Sequence, residues 1–415
     1  MERAELSLLL GGNADSRRPP VHCIAETDPR KFMAAFATAV AGEGDIFLCD
    51  PNWTARECAE VDGLIQSKIT KKKTQIGHGW LMIPTGGTSG QIRLARHDSQ
   101  TIAAAVRGFS AHFSVEQINA AGVLPLHHVS GFTAWMRCAL TGGSYLPFDW
   151  KKLESGALPQ LPETAHGWFL SLVPTQLERL MRRPIAVEWL REFRAVLLGG
   201  AAAWPDLVDR ALTARLPLAA CYGMTETAAM VTATRPQEFL AGARGNGSAL
   251  PHAQISIGAK GAVLVAGESV FRGYFPEWRS ARKFVTSDAG WIDECGHLVI
   301  TGRSDAVVIT GGEKVQPVEV ESALRGSGEF TEVVVLGVPH AEWGQMLVAA
   351  YPAASQPRLK EVAAVMARRL APHKRPKFFV PLASWPANAQ GKVNRARVTS
   401  LVIAAIQSGS GLAQT

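Results

Sequence analysis

The sequence predicts an α/β fold. A large N-terminal domain of parallel βα units with a small β subdomain precedes a small α+β C-terminal domain. Three observations predict it. Between Trp80 and Tyr222 short apolar runs alternate with helix-period segments, the pattern of a parallel sheet with crossover helices. After residue 250 the runs shorten and stand between Gly-rich turns, as in an antiparallel subdomain. Past Gly302-Arg303-Ser304-Asp305 a last unit follows. The boundary is placed near Asp305, dividing the chain into 1–304 and 305–415.

The elements run in this order. Up to residue 80 the pattern is weak, with a buried strand at Asp45–Cys49 and a basic surface run at Lys68–Lys73. Trp80–Pro84 reads as a strand, Thr101–Phe113 as a helix, Gly122–Leu126 as a strand and Phe132–Leu140 as a helix. Phe169–Val173, Ala195–Leu198 and Leu218–Tyr222 are further strands. The subdomain has strands at Gln254–Ile257, Ala262–Val265 and His297–Ile300. The last unit has strands at Val307–Ile309 and Glu332–Gly337 and helices at Val318–Leu324 and Lys360–Leu370.

Composition narrows the class. With 47% hydrophobic and 19% charged residues the chain is neither disordered nor fibrous. No run of 18 apolar residues occurs, so no spanning helix is expected, and the opening segment lacks a small-residue cleavage site. The six cysteines show no metal-ligand spacing, which favours free thiols and a cytoplasmic protein. Gln356–Ser400 carries ten basic residues against Glu361 alone, an excess larger than the +7 of the whole chain. Such a tail either meets an anion or is a solvated face.

Five segments carry chemistry. Pro84-Thr-Gly-Gly-Thr-Ser-Gly90 follows a strand and offers backbone N–H groups and hydroxyls to phosphate; otherwise it is a polar turn. It has neither Walker nor nucleophile-elbow spacing. Cys221-Tyr-Gly-Met-Thr-Glu-Thr227 places an aromatic ring, a hydroxyl and a carboxylate at a strand end, which suits a nucleotide and Mg²⁺, or else a capped helix start. Thr286-Ser-Asp288 reads as a tight turn whose Asp can accept ribose hydroxyls, or as an ordinary Asx-turn. Gly302-Arg-Ser-Asp305 lies at the boundary, with Gly311-Gly312 soon after. Gly391-Lys392 can deliver a charge to a developing oxyanion.

In this order the five resemble the adenylate-forming superfamily of acyl- and aryl-CoA ligases, luciferases and peptide-synthetase adenylation domains, over roughly residues 80–397. The resemblance implies ATP and Mg²⁺, with CoA as co-substrate. Thr85, Gly86, Gly87, Thr88 and Ser89 would hold the β- and γ-phosphates. Gly199, Gly200 and Ala201 would line adenine, with Tyr222, Gly223 and Met224 beside it. Thr225 would touch the α-phosphate, Glu226 would hold Mg²⁺, and Asp288 and Arg303 would fix the ribose. Lys392 would bridge the acid and the α-phosphate. The C-terminal domain would be a mobile lid turning at Asp305, bringing Gly311 and Gly312 beside the thiol's path. Two positions depart from the family pattern: Ile92-Arg93 replaces the usual Pro-Lys, and Ser287 replaces Gly. The region ahead of residue 85 is also short.

Within the superfamily, residues 83–97, 125–137, 221–233 and 250–257 resemble the o-succinylbenzoate–CoA ligases of menaquinone and phylloquinone biosynthesis. His128 would gate the acyl pocket as a catalytic residue; otherwise it is a core histidine. A metal reading of His127-His128 is disfavoured, because adjacent side chains rarely share an ion and no carboxylate is near in sequence. o-Succinylbenzoate has an unreactive aryl carboxylate, for which Arg137 and Ser130 are the expected partners. Arg137 reads equally as a surface helix residue or an ion-pair partner. Alternatives are another acid, a carrier-protein thiol as acceptor, a non-catalytic binding protein on this fold, or a nucleic-acid binder. Retained Lys392, Glu226 and Asp288 argue against a dead copy, and the few aromatics in the basic tail argue against nucleic acid. The expected partners are therefore an aryl acid, ATP and CoA, with no nucleic acid and no membrane span; a homodimer is left open.

Overall fold

The computed structural model describes residues 1–11, 21–42, 44–70, 79–86, 92–163, 167–387 and 393–408. Four sheets follow one another along the chain. The first holds β1 (Val21–Ile24), β2 (Asp45–Leu48), β3 (Leu81–Gly86) and β4 (Ile92–His97), in that order, with only β4 antiparallel to its neighbour. Around it lie α1 (Arg3–Leu9), α2 (Pro29–Val40), α3 (Ala55–Thr70) and α4 (Ser99–Phe113). The region read as weakly patterned is thus regular. Its strands are four residues long, too short for a periodic signal.

The second sheet holds β5 (Asn119–Gly122), β6 (Tyr145–Pro147), β7 (Trp168–Leu172), β8 (Ala195–Leu198), β9 (Leu218–Met224), β10 (Ala229–Ala233) and β11 (Ser248–Ala249). The order is β11-β10-β9-β8-β7-β5-β6. Strands β5 to β9 are parallel; β10 and β11 are antiparallel additions. The helices are α5 (Val129–Thr141), α6 (Trp150–Ser155), α7 (Pro174–Met181), α8 (Pro184–Arg191), α9 (Pro205–Thr213) and α10 (Pro236–Leu240). Alternate residues serve opposite cores, as period-2 side chains must. Leu170, Leu172, Val196, Leu198 and Leu218 face α7, α8 and α9, whereas Phe169, Ala195, Leu197 and Ala219 face Phe109 and Phe113 of α4 and Cys138 of α5.

The strand expected at Gly122–Leu126 lies instead at Asn119–Gly122. The paired residues are small, and the apolar run Val123, Leu124 and Leu126 that suggested a strand is buried in the loop leading to α5. That loop fixes α5. A Cβ at Gly131 would drive into the carbonyl oxygen of Pro125, so glycine is required where the helix rests on the loop. On its other side α5 packs Phe132, Trp135 and Met136 against the first sheet with Phe32 and Phe36. It is therefore buried between two sheets.

The third sheet is antiparallel: β12 (Ala253–Ile257), β13 (Ala262–Gly267), β14 (Lys283–Ile292) and β15 (Leu298–Arg303). The fourth holds β16 (Val308–Thr310), β17 (Glu313–Val315), β18 (Val334–His340), β19 (Gly344–Pro352) and β20 (Phe378–Leu382). Helices α11 (Pro317–Arg325) and α12 (Leu359–Arg369) cover the face bearing Val335, Leu347 and Phe379. Helix α13 (Arg395–Ser408) covers the face bearing Leu336, Val348 and Val380. All six cysteines are free, and no helix among the described residues is long and apolar enough to cross a membrane.

Candidate active site

Several of the expected site residues lie at strand ends of the first, second and third sheets. Thr85 and Gly86 end β3, paired with Arg93 and Ile92 of β4. Gly87, Thr88 and Ser89 lie outside the described residues, as does Lys392. Gly199, Gly200 and Ala201 follow β8; Gly200 has φ 79°, and Gly199 lies beside Cys221 of β9. Tyr222, Gly223 and Met224 close β9 next door. A Cβ on Gly223 would overlap the Ala229 carbonyl, so β9 and β10 approach this closely only through glycine.

Tyr222 Oη donates to Asp288 Oδ2 at 2.7 Å and so ties the second sheet to the third. Asp288 pairs in register with Arg303, whose Nη1 is 3.5 Å from Asp288 Oδ1. Arg303 also grips Asp305 with two hydrogen bonds, of 2.8 and 2.6 Å. Burial and the neighbouring Asp288 push the Tyr222 phenol above its ordinary value, so it stays a donor. The Thr286–Asp288 segment is not a tight turn. It lies within β14, whose pairing shifts register around it, and Thr286 Oγ1 accepts the Asp288 N–H at 3.0 Å. Asp288 stands between a phenol and a guanidinium with acceptor capacity left for hydroxyls, which fits a ribose.

Glu226 is buried in the single 3₁₀ turn after β9, where Tyr274 Oη donates to its Oε1 at 2.6 Å. Arg93 lies over the Tyr274 ring at 3.5 Å. The departure from the family's Pro-Lys thus leads back to the carboxylate through one ring. A buried carboxylate fits a divalent cation by the chemistry of its oxygen donors. Thr225 is held by its carbonyl: His97 Nε2 lies 2.7 Å from it, and His97 Nδ1 lies 3.1 Å from Thr101 Oγ1. A carbonyl only accepts, so Nε2 carries the proton. Burial drives the His97 pKa down to about 4, keeping the ring neutral.

His97 and Tyr274 had escaped the sequence reading. His97 ends the stretch that follows the phosphate loop, but nothing local joins it to Thr225, 128 residues on. Tyr274 lies 48 residues from Glu226, with no shared motif.

His128 occupies the N-cap position of α5 without a side-chain capping bond, and its ring lies tilted with its centroid 4.5 Å from that of His127, whose Nε2 is 3.5 Å from Asp50 Oδ1. A carboxylate distant in sequence is therefore close in space, and ligand atoms of Asp50, His127 and His128 lie within 4.8 Å of one another. Asp50 Oδ1 already accepts from the Asn52 backbone N–H at 2.9 Å and from Nδ2 at 3.1 Å. Burial works to raise this carboxyl, but bonds from His127 and Asn52 outweigh it and hold it well below the usual range. The arrangement braces the two rings.

Ser130 is half-buried in the first turn of α5. Arg137 is neither a surface residue nor an ion-pair partner. It is 4% exposed, its Nε has no hydrogen-bond partner, and no salt bridge reaches it among the described residues. Its guanidinium rests on the Phe109 ring at 4.2 Å. Burial lowers its pKa to about 10, which still leaves it charged at neutral pH. The Cys138 and Cys221 thiols beside it are raised to about 12 by burial and offer no counter-charge. Gly311 and Gly312, at φ 57° and 84°, form the two-residue turn joining β16 to β17.

Two family models match the chain: AMP-binding enzyme over residues 16–275, and AMP-binding enzyme C-terminal domain over 319–392. The chain is 28% identical to the 2-succinylbenzoate–CoA ligase of Enterococcus faecalis, over 75% of this chain and 67% of that one. It is 29% identical to the indoleacetate–CoA ligase of Aromatoleum aromaticum, over 78% and 67%. It spans as little as 59% of the length of other 2-succinylbenzoate–CoA ligases that it matches. Among solved structures it resembles Bacillus subtilis o-succinylbenzoate CoA synthetase in complex with its acyl-adenylate intermediate. There the TM-score is 0.74 at 20% identity, over 96% of this chain and 91% of that one. Because the AMP-binding enzyme model matches residues 16–275, more than half of the chain, the chain belongs to the AMP-binding enzyme family.

Proposed function

We propose that the protein is an ATP-dependent acid–CoA ligase. The acid's carboxylate attacks the α-phosphorus of ATP and releases pyrophosphate; the CoA thiolate then attacks the acyl carbonyl and releases AMP. Tyr222, Asp288, Arg303 and the glycines after β8 would seat the nucleoside. Glu226 would hold Mg²⁺, which supplies positive charge to the phosphates when bound. Thr225 and Lys392 would meet the α-phosphate and the attacking carboxylate. The lid would turn at Asp305, once its clasp by Arg303 opens, to admit the thiol.

The proposed acid is o-succinylbenzoate, which places the protein in menaquinone or phylloquinone formation. Arg137 carries this reading. An unpaired buried charge costs several kcal/mol, and a cation–π contact returns only about 2. A ligand carboxylate would complete the pairing. The similarity to an indoleacetate–CoA ligase offers a second acid class, but indoleacetate has one carboxylate, which the reaction consumes, and would leave Arg137 bare.

A panel of acids with ATP, Mg²⁺ and CoA, read by AMP release, tests the activity. For Arg137→Leu, the KM for o-succinylbenzoate should rise about 100-fold while the KM for ATP stays flat, the loss of one charge-assisted pair. An unchanged acid KM removes Arg137 from the pocket.

A further inference from the structure

The brace ahead of α5 is also a set of metal donors. We propose that Asp50, His127 and His128 form an inhibitory site for a divalent ion of the zinc class, and that the ion fixes His128 and so bars the acid. The inhibition rests on the ligase reading above; the binding does not.

Three observations carry the site. The donors converge: one ligand atom from each of Asp50, His127 and His128 lies within 4.8 Å of the other two. His127 Nε2 and Asp50 Oδ1 are 3.5 Å apart, and two donors on a tetrahedral zinc ion stand about 3.3 Å apart. The usual objection to adjacent histidines is also removed. In a strand successive side chains point apart. Here the His128 N–H donates to the Pro125 carbonyl at 3.2 Å, closing a turn over 125–128, and the two rings come together with centroids 4.5 Å apart. Lastly, the carboxylate keeps room for a cation. Its bonds from Asn52 and its contact with His127 all fall on Oδ1. Among the described residues its ion-pair partner is His127 rather than a Lys or Arg.

The donor chemistry selects the ion. Two imidazoles and one carboxylate suit zinc and its first-row neighbours, whereas magnesium prefers oxygen throughout. The Mg²⁺ proposed at Glu226 is therefore a separate ion. Three protein ligands leave the fourth tetrahedral position to water. The consequence follows from where the donors sit. Asp50 follows β2 of the first sheet, and His127 and His128 lie in the loop that leads into α5. An ion shared among them ties that loop to the sheet. His128, the expected gate of the acyl pocket, then loses its freedom to turn. Occupancy raises the KM for the acid and spares that for ATP, whose expected nucleoside contacts lie on β9 and β14.

The test titrates the full chain with Co²⁺, a spectroscopic stand-in for zinc, without ATP or acid. One equivalent should give the visible d–d bands of a four-coordinate nitrogen–oxygen site, with no thiolate-to-cobalt charge transfer from the free cysteines. Zn²⁺ should displace it. Asp50→Asn keeps the size of the side chain and an acceptor for His127 but loses the charge. It should weaken Co²⁺ and Zn²⁺ binding at least about 100-fold, since even outer-shell partners of a metal are worth about 10- to 100-fold. His127→Gln should do the same, and unchanged circular dichroism and Tm report that the variants fold. Under a buffered micromolar supply of free Zn²⁺, the wild-type KM for the acid identified by AMP release should rise about tenfold with the KM for ATP flat, and Asp50→Asn should be insensitive. Absence of the d–d bands, or binding that both variants retain, overturns the site. Binding that leaves the acid KM unmoved overturns the inhibition. Neither outcome touches the ligase reading, which stands or falls on AMP release without zinc.

Discussion

Tyr222 shows how much chemistry hangs on a single hydroxyl. Its bond to Asp288 joins two sheets and aims the carboxylate that is proposed to hold the ribose. Tyr222→Phe keeps the ring and loses the bond. A hydrogen bond to a charged group is worth about 2 kcal/mol, so the KM for ATP should rise about 10- to 30-fold with kcat little changed. A flat KM in steady-state kinetics would separate Asp288 from the nucleotide. Tyr222, Glu226 and Asp288 were legible because each sits in a short motif whose residue types match one chemistry. The partners that orient them were not. Tyr274 and His97 act through folding contacts across 48 and 128 residues, and no local pattern encodes such a distance. Asp50 is the same case: sequence spacing hid a carboxylate 3.5 Å from His127.

At the scale of elements, α5 decides most. Its helical period was plain, but period alone could not tell a surface helix from one packed between two sheets. The tertiary frame buries both sides and so turns Arg137 from a solvent-facing residue into an interior cation with no salt bridge among the described residues. Gly131 sets where the helix starts. Propensity alone says that Gly131→Ala should stabilise by about 1 kcal/mol. Overlap with the Pro125 carbonyl should cost about 1–3 kcal/mol, with the larger value expected because backbone cannot swing aside. Urea unfolding should therefore show a net loss. A gain would mean that the loop bearing His127 and His128 moves freely. The misplaced strand at 122–126 has the same origin, since an apolar run marks burial and a loop can be buried too.

Over the whole molecule, charge and acid stability follow from placement. The basic tail is less free than its composition suggests. Lys374 is paired with Glu319, Arg395 with Glu321, and Arg358 with Glu329 and Glu361. Three of its ten basic side chains are thus paired within the C-terminal domain. That domain also touches the large one through Arg182 on Thr331 and Arg325 over the Trp204 ring. Both are polar contacts of the kind a turning lid can exchange. Acid should unfold the protein early. His97, His112 and His252 are each lowered to about 4 by burial. A lowered histidine binds fewer protons folded than unfolded, so its contribution is complete above about pH 6.5 and is lost as pH falls toward 4. His97 alone should contribute about 3 kcal/mol to that loss. Thermal melts from pH 7 to 4 should show the decline, and His97→Gln should flatten it. An unchanged slope would mean that His97 is not neutral in the folded chain.

The sequence by itself determined the fold class, the order of motifs and the residue types that suit a nucleotide, because periodicity and short motifs are local properties of a chain. Tertiary structure alone decided which of those residues meet, what orients them, and that Arg137 lies buried with no salt bridge among the described residues. Burial and pairing are relations between segments far apart in sequence, and they exist only once the sheets have closed around them.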